Sequence, residues 1–132
     1  TILLRSFRLA PKMILPALKS NKTERIYELR SYESPTEKLY TTKVKMFNEG
    51  GEIALFKRLN FNAVFYADVI SGSQMPNLMY MTTFENKADR DAHWETFRND
   101  PEWKQLSSLA EYQHTVSKAE IILMRPTEYS DF

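Results

Sequence analysis

Two proline-marked helix starts do most to limit the folds open to this chain. Ser34-Pro35-Thr36-Glu37 and Asp100-Pro101-Glu102 each set a capping side chain ahead of a proline at the first helical position, with an acid in the first turn. From Ser34 as N-cap, the stripe Tyr40, Val44, Phe47, Gly51 and Leu55 predicts an amphipathic helix ending near Leu59-Asn60. Gly50-Gly51 weakens it by about 1 kcal/mol per glycine and predicts a bend or close packing. A second helical region starts at Asn86, with Asp89 at the third helical position, and places Arg90, Trp94 and Phe97 on one face. It restarts at Asp100, with Trp103, Leu106 and Ala110 as its buried stripe.

Strand-like segments flank these helices. Arg25–Tyr32 alternates, placing Ile26, Glu28, Arg30 and Tyr32 on one face and Tyr27, Leu29 and Ser31 on the other. Asn62–Ser71 and Asn77–Phe84, joined by Ser71-Gly72-Ser73-Gln74-Met75-Pro76, read as a hairpin, and a last strand spans about Thr115–Arg125. The order β-α-β-β-α-β is the α+β, ferredoxin-like βαββαβ plan: a four-stranded antiparallel sheet with helices on one face. The other face carries Tyr, Phe, Met and Ile and is too apolar for water. A second sheet of the same kind satisfies it, as a homodimer or as tandem repeats in one polypeptide, with a cavity between the paired sheets.

The first 23 residues stand apart, with five basic residues (Arg5, Arg8, Lys12, Lys19, Lys22) and no acid. The body, residues 24–132, holds 13 Lys and Arg against 17 Asp and Glu. A mildly acidic body excludes a basic nucleic-acid groove. No apolar run approaches the roughly 18 residues of a transmembrane segment, so a soluble chain is expected, with its compartment unstated. The acid-poor start also fits a mitochondrial-type presequence. Ile2-Leu3-Leu4-Arg5 echoes Ile121-Ile122-Leu123-Met124-Arg125, and Pro11 and Pro16 favour extended chain. Residues 1–23 therefore read as an arm or linker: 1–9 as the closing strand of a preceding repeat, 10–23 as the connector. A chain starting at Thr1 is processed or part of something longer. There is no cysteine, which excludes disulfide scaffolds, zinc knuckles and thiol nucleophiles, and two histidines do not make a multi-histidine metal site.

Several segments together resemble the NIPSNAP domain over about residues 24–126. They are Ile26-Tyr27-Glu28-Leu29-Arg30-Ser31-Tyr32 followed by Pro35, Leu55-Phe56-Lys57-Arg58-Leu59, Arg90, and Asp100-Pro101-Glu102-Trp103. Thr36 departs from the glycine that commonly follows the proline. The resemblance implies a dimeric α+β barrel and, in bacterial members, tandem copies. It carries over no catalytic residue, because no reaction is firmly established for the family. Mitochondrial and vesicle or mitophagy roles belong to its eukaryotic relatives and do not transfer to one domain.

The candidate ligand-binding residues are Glu28, Arg30 and Tyr32 on one strand face, joined from neighbouring strands by Tyr66 and Asp68, or by Tyr80. If that face lines the inter-sheet cavity, Arg30 grips a carboxylate bidentately and Glu28 serves as general base within apolar walls. The alternative pairs Glu28 and Arg30 as structural ions, within the chain or across a dimer. His93 beside Trp94 suggests a haem ligand, since haem proteins share this barrel fold, but Asp89, Arg90, Asp91 and Glu95 around it favour a solvent-facing helix side. His114 reads as a surface or edge residue, and Trp94, Phe97, Trp103 and Leu106 as core. No catalytic triad, phosphate loop or metal spacing is present, and no cofactor is called for. Three functions compete: a small-molecule-binding or assembly module, a cofactor-free or haem-assisted monooxygenase or isomerase with Glu28 or His93 as base, and an adaptor using its outer helices.

Overall fold

The computed structural model describes residues 1–132. Five strands and four helices follow one another as β1 (Leu3–Ser6), β2 (Ile26–Glu33), α1 (Glu37–Asn48), α2 (Glu52–Arg58), β3 (Phe65–Ser71), β4 (Asn77–Phe84), α3 (Lys87–Asn99), α4 (Pro101–Ser108) and β5 (Lys118–Met124). All neighbouring strands are antiparallel, in the order β1-β3-β4-β2-β5. The four strands of the body keep the ferredoxin-like order. The sheet nevertheless has five strands and not four, because the arm adds β1 to the free edge of β3, with Leu4 opposite Val69 and Ser6 opposite Ala67.

Residues 1–23 are tied down along their length. Phe7, 2% exposed, packs edge-on against Phe47 in the core. The Ile14 amide donates to the Val64 carbonyl, and the Lys19 and Ser20 amides donate to the Glu85 carboxylate. The Arg25 guanidinium donates to the carbonyls of Leu18 and Ser20.

The first helix begins two residues later than its signature suggests. Thr36 is the N-cap, accepting from the Leu39 amide at 3.2 Å, while Ser34 is buried with its amide on the Pro76 carbonyl. Thr36 is a competent cap and leaves Pro35 ahead of the helix, where its missing N–H costs no helical bond. The expected bend is a full break. Gly51 is left-handed (φ 91°), and a Cβ on Gly50 would lie 2.5 Å from the Met46 carbonyl oxygen, so α1 stops and α2 restarts at Glu52. Asp100 caps α4 as expected, accepting from the Glu102 amide at 2.9 Å, but the helix's expected buried stripe is only half-buried at Trp103 and Leu106 and exposed at Ala110. Arg58 Nη2 donates to both Asp100 oxygens at 2.9 Å, tying the end of α2 to the start of α4.

All four helices lie on one face of the sheet. Register lines up Ile26 with Phe84, Glu28 with Thr82, Arg30 with Tyr80 and Tyr32 with Leu78. This face packs Tyr66 and Tyr80 against Phe47 of α1 and Phe56 of α2, and Phe56 stacks on Phe97 of α3. On the opposite face, where no helix packs, Leu29, Phe65, Met79 and Met81 are half-buried and Ile122 is exposed beside Leu29. The C-terminal tail covers one end, where Phe132 packs on Tyr27, and Ser31, Ala67 and Val69 on this face are buried as well.

Candidate functional site

Period-2 alternation groups Glu28, Arg30 and Tyr32 correctly but does not say which way their face turns. It turns inward, under the helices, and not into a space between sheets. Both faces of β2 mix apolar and polar residues, and the decision comes from β3 and β4, whose Tyr66, Tyr80, Leu78 and Phe84 extend this face into the aromatic core.

Glu28 is fully buried and accepts three bonds: from Arg30 Nε (2.5 Å) on one oxygen, and from Arg90 Nε (2.5 Å) and Trp94 Nε1 (3.0 Å) on the other. Burial opposes its ionisation, but the Arg90 hydrogen bond and the charge and hydrogen bond of Arg30 prevail and hold its pKa below the usual carboxylate value. A carboxylate so saturated is a poor base, and its pairing with Arg30 is the structural-ion arrangement. Arg30 lies over the Trp94 ring, Cζ 3.6 Å from the centroid, and donates Nη1 to Tyr32 Oη at 3.0 Å. The Tyr32 and Tyr80 hydroxyls share a 2.8 Å hydrogen bond. Burial pushes the Tyr80 phenol well above its usual value, so it stays protonated. Arg30 Nη2 has no protein partner. Tyr66 stacks on Tyr80, while Asp68 is engaged elsewhere, accepting from Tyr40 Oη at 2.5 Å and pairing with Arg5.

Arg30, Tyr32 and Tyr80 line a cavity of about 200 Å³ with Lys43, Glu52, Phe56, Trp94, Phe97, Arg98 and Trp103. This is room for roughly seven waters. Lys43 Nζ, itself buried, donates to Glu52 Oε2 at 3.0 Å and sits 4.9 Å from the Phe47 ring centroid. Burial pushes the Glu52 carboxyl above its usual pKa, although Lys43 and Arg30 pull it down. Arg98 at the cavity has no acidic partner. Three cations thus face one carboxylate across aromatic walls.

Sequence reasoning missed Lys43, Glu52 and Arg98. A signal existed for two of them: Lys43 lies three residues after Tyr40 and four before Phe47, and Glu52 lies three and four before Leu55 and Phe56, so both share an apolar helix stripe. His93 does not reach the cavity. Its ring packs against Phe61 and Phe84, with Nδ1 2.8 Å from the Asp89 carbonyl. This placement does not fit an axial haem ligand there. No group of three or more His, Asp or Glu side chains is placed to hold a metal, and no helix is long and apolar enough to cross a membrane.

These features define an α+β domain of ferredoxin-like strand order with a cationic, aromatic-walled pocket between sheet and helices. The NIPSNAP family profile matches residues 27–131, and the chain belongs to that family. It is similar to an uncharacterised NIPSNAP-like domain protein of Burkholderia xenovorans, with 17% identity, 81% of this chain and 89% of that one covered, and a TM-score of 0.71. A NIPSNAP family protein of Agrobacterium tumefaciens gives 20%, 81%, 90% and 0.69. More distant is a Bacteroides thetaiotaomicron protein provisionally named an antibiotic biosynthesis monooxygenase, at 15%, 80%, 92% and 0.53. At these identities the likeness is one of fold. None of the curated proteins matches the chain.

Proposed function

We propose that this NIPSNAP domain is a small-molecule-binding module whose ligand, a small anion with a planar apolar body, sits in the cavity between sheet and helices. The observation that carries this reading is Arg30: its guanidinium is fixed by Glu28, Tyr32 and Trp94 while Nη2 stays unpaired at the cavity. A rigid donor with a spare N–H beside aromatic walls suits a carboxylate. Arg98 adds an unpaired positive charge, and Trp94, Phe56 and Trp103 supply flat walls for a ring. The volume, below the roughly 300–1,000 Å³ of drug-sized sites, limits the ligand to about one ring.

Benzoate is the probe. Titrated into the protein, it is expected to change tryptophan fluorescence saturably, because Trp94 and Trp103 line the cavity. Arg30→Gln should weaken it about tenfold or more, the scale of one charge-assisted hydrogen bond. Benzamide, uncharged and nearly isosteric, should bind more weakly than benzoate, and equal binding of the two refutes the anion reading.

Self-association completes the proposal. The half-buried Leu29, Phe65, Met79 and Met81, with Ile122, make an apolar sheet surface suited to the same surface on a second copy. A homodimer, or a tandem pair in one longer chain, then leaves each pocket inside its own domain.

A further inference from the structure

We propose that Glu52 is the proton-transfer group of this pocket and that its ligands include carbon acids, planar carboxylates with an exchangeable proton beside a carbonyl. This rests on the pocket reading above and adds chemistry to it. Glu52 is 2% exposed and lines the cavity. Oε2 accepts from Lys43 Nζ, and Oε1 has no protein partner. Nor is Oε1 among the polar atoms sealed in the core without partners, which are Tyr27 Oη, Ser34 Oγ and Thr82 Oγ1, so the vacant oxygen is open to the cavity. It is the only carboxylate lining the cavity; Glu28 behind Arg30 is spent on three donors.

The second requirement is a partner for the charge that develops when the proton leaves. Arg30 lines the same cavity with Nη2 free, held by the contacts already described. Glu52 takes the proton from the carbon next to the carbonyl, the C–H electron pair becomes the C=C bond of an enolate, and the carbonyl oxygen takes the negative charge opposite Arg30. Return of a proton from the Glu52 carboxyl to that carbon closes the cycle. Nothing is oxidised or reduced and no co-reactant is consumed. Burial raises Glu52, the direction that brings a carboxyl nearer to what general base catalysis at neutral pH requires.

Phenylpyruvate in D₂O tests this, because it joins a ring, a carboxylate and an enolisable CH₂. The intact protein is expected to speed loss of the CH₂ proton signal above the buffer rate at the same pD. Glu52→Gln should cut that acceleration on the order of 100-fold, the usual worth of a positioned base, while still binding benzoate. If Glu52→Gln does not fold, Glu52→Asp keeps the charge beside Lys43, draws the carboxylate back by one methylene, and should lose between roughly 10- and 100-fold. Benzoate binding without any acceleration of phenylpyruvate exchange overturns the proton-transfer role and leaves the pocket reading standing. Exchange undiminished in a folded Glu52 variant overturns it as well. Failure of both benzoate and phenylpyruvate to bind overturns the pocket reading and this proposal with it.

Discussion

Glu28 shows how a single residue serves the fold while belonging to a candidate site. Its folded-state pKa lies below the ordinary 4.5, so its ionised form contributes stability that is present above that value and is lost as pH falls through the depressed one. Glu28→Gln leaves Arg30 and Arg90 without their shared counter-charge. It should destabilise the protein by about 3–5 kcal/mol at pH 7, measured by urea unfolding, and the difference from the parent should shrink below about pH 4.5. A gap that stays constant down to pH 3 would show that packing, not charge, sets the cost. Glu52 has the opposite sign: its raised pKa favours the protonated fold, so its contribution weakens as pH rises above the ordinary carboxylate value.

At the scale of elements, the arm joins the body through one edge strand and one buried ring. β1 extends the sheet, and Phe7 sits among the core aromatics. Phe7→Ala should cost about 3–5 kcal/mol, read as a lowered urea midpoint with the slope unchanged, and an effect below about 1 kcal/mol would mean that the arm rests on the body without supporting it. The sequence announces the helix starts at Asn86 and Asp100, the interruption at Gly50-Gly51 and the hairpin at Ser71–Pro76, because capping, proline and glycine act over a few residues. It does not announce that β1 joins β3, a pairing more than sixty residues apart that depends on which edge is vacant. β3 also starts at Phe65, three residues after the expected Asn62, and here the cause is local: Asn60 and Asn62 adopt positive φ just before it.

For the whole molecule, the half-buried apolar sheet face is where the proposed self-association is tested. Light scattering at micromolar concentration should report a dimer, and Met81→Lys, placing a charge mid-surface, should shift it to monomer without changing the circular dichroism spectrum. A stable monomer in the parent protein would remove the pairing proposal but not the pocket. Glu28, Arg30 and Tyr32 were legible as a cluster because strand periodicity groups them, whereas Tyr80, offered from the sequence as one of two alternatives, joins them through the register of β2 against β4. Their burial under helices was not, since it follows from register between strands far apart in sequence. Lys43 and Glu52 lay hidden for a different reason: an isolated charge in a helical stripe resembles a surface residue until its partner on the next helix is known.

Arg30 enters any complex already immobilised. Freezing a long side chain on binding costs roughly 0.5–1.5 kcal/mol, and here folding has met that cost through Glu28, Tyr32 and the indole of Trp94. Variants that free the guanidinium without removing it, such as Tyr32→Phe, should therefore slacken ligand capture chiefly through a less favourable binding entropy.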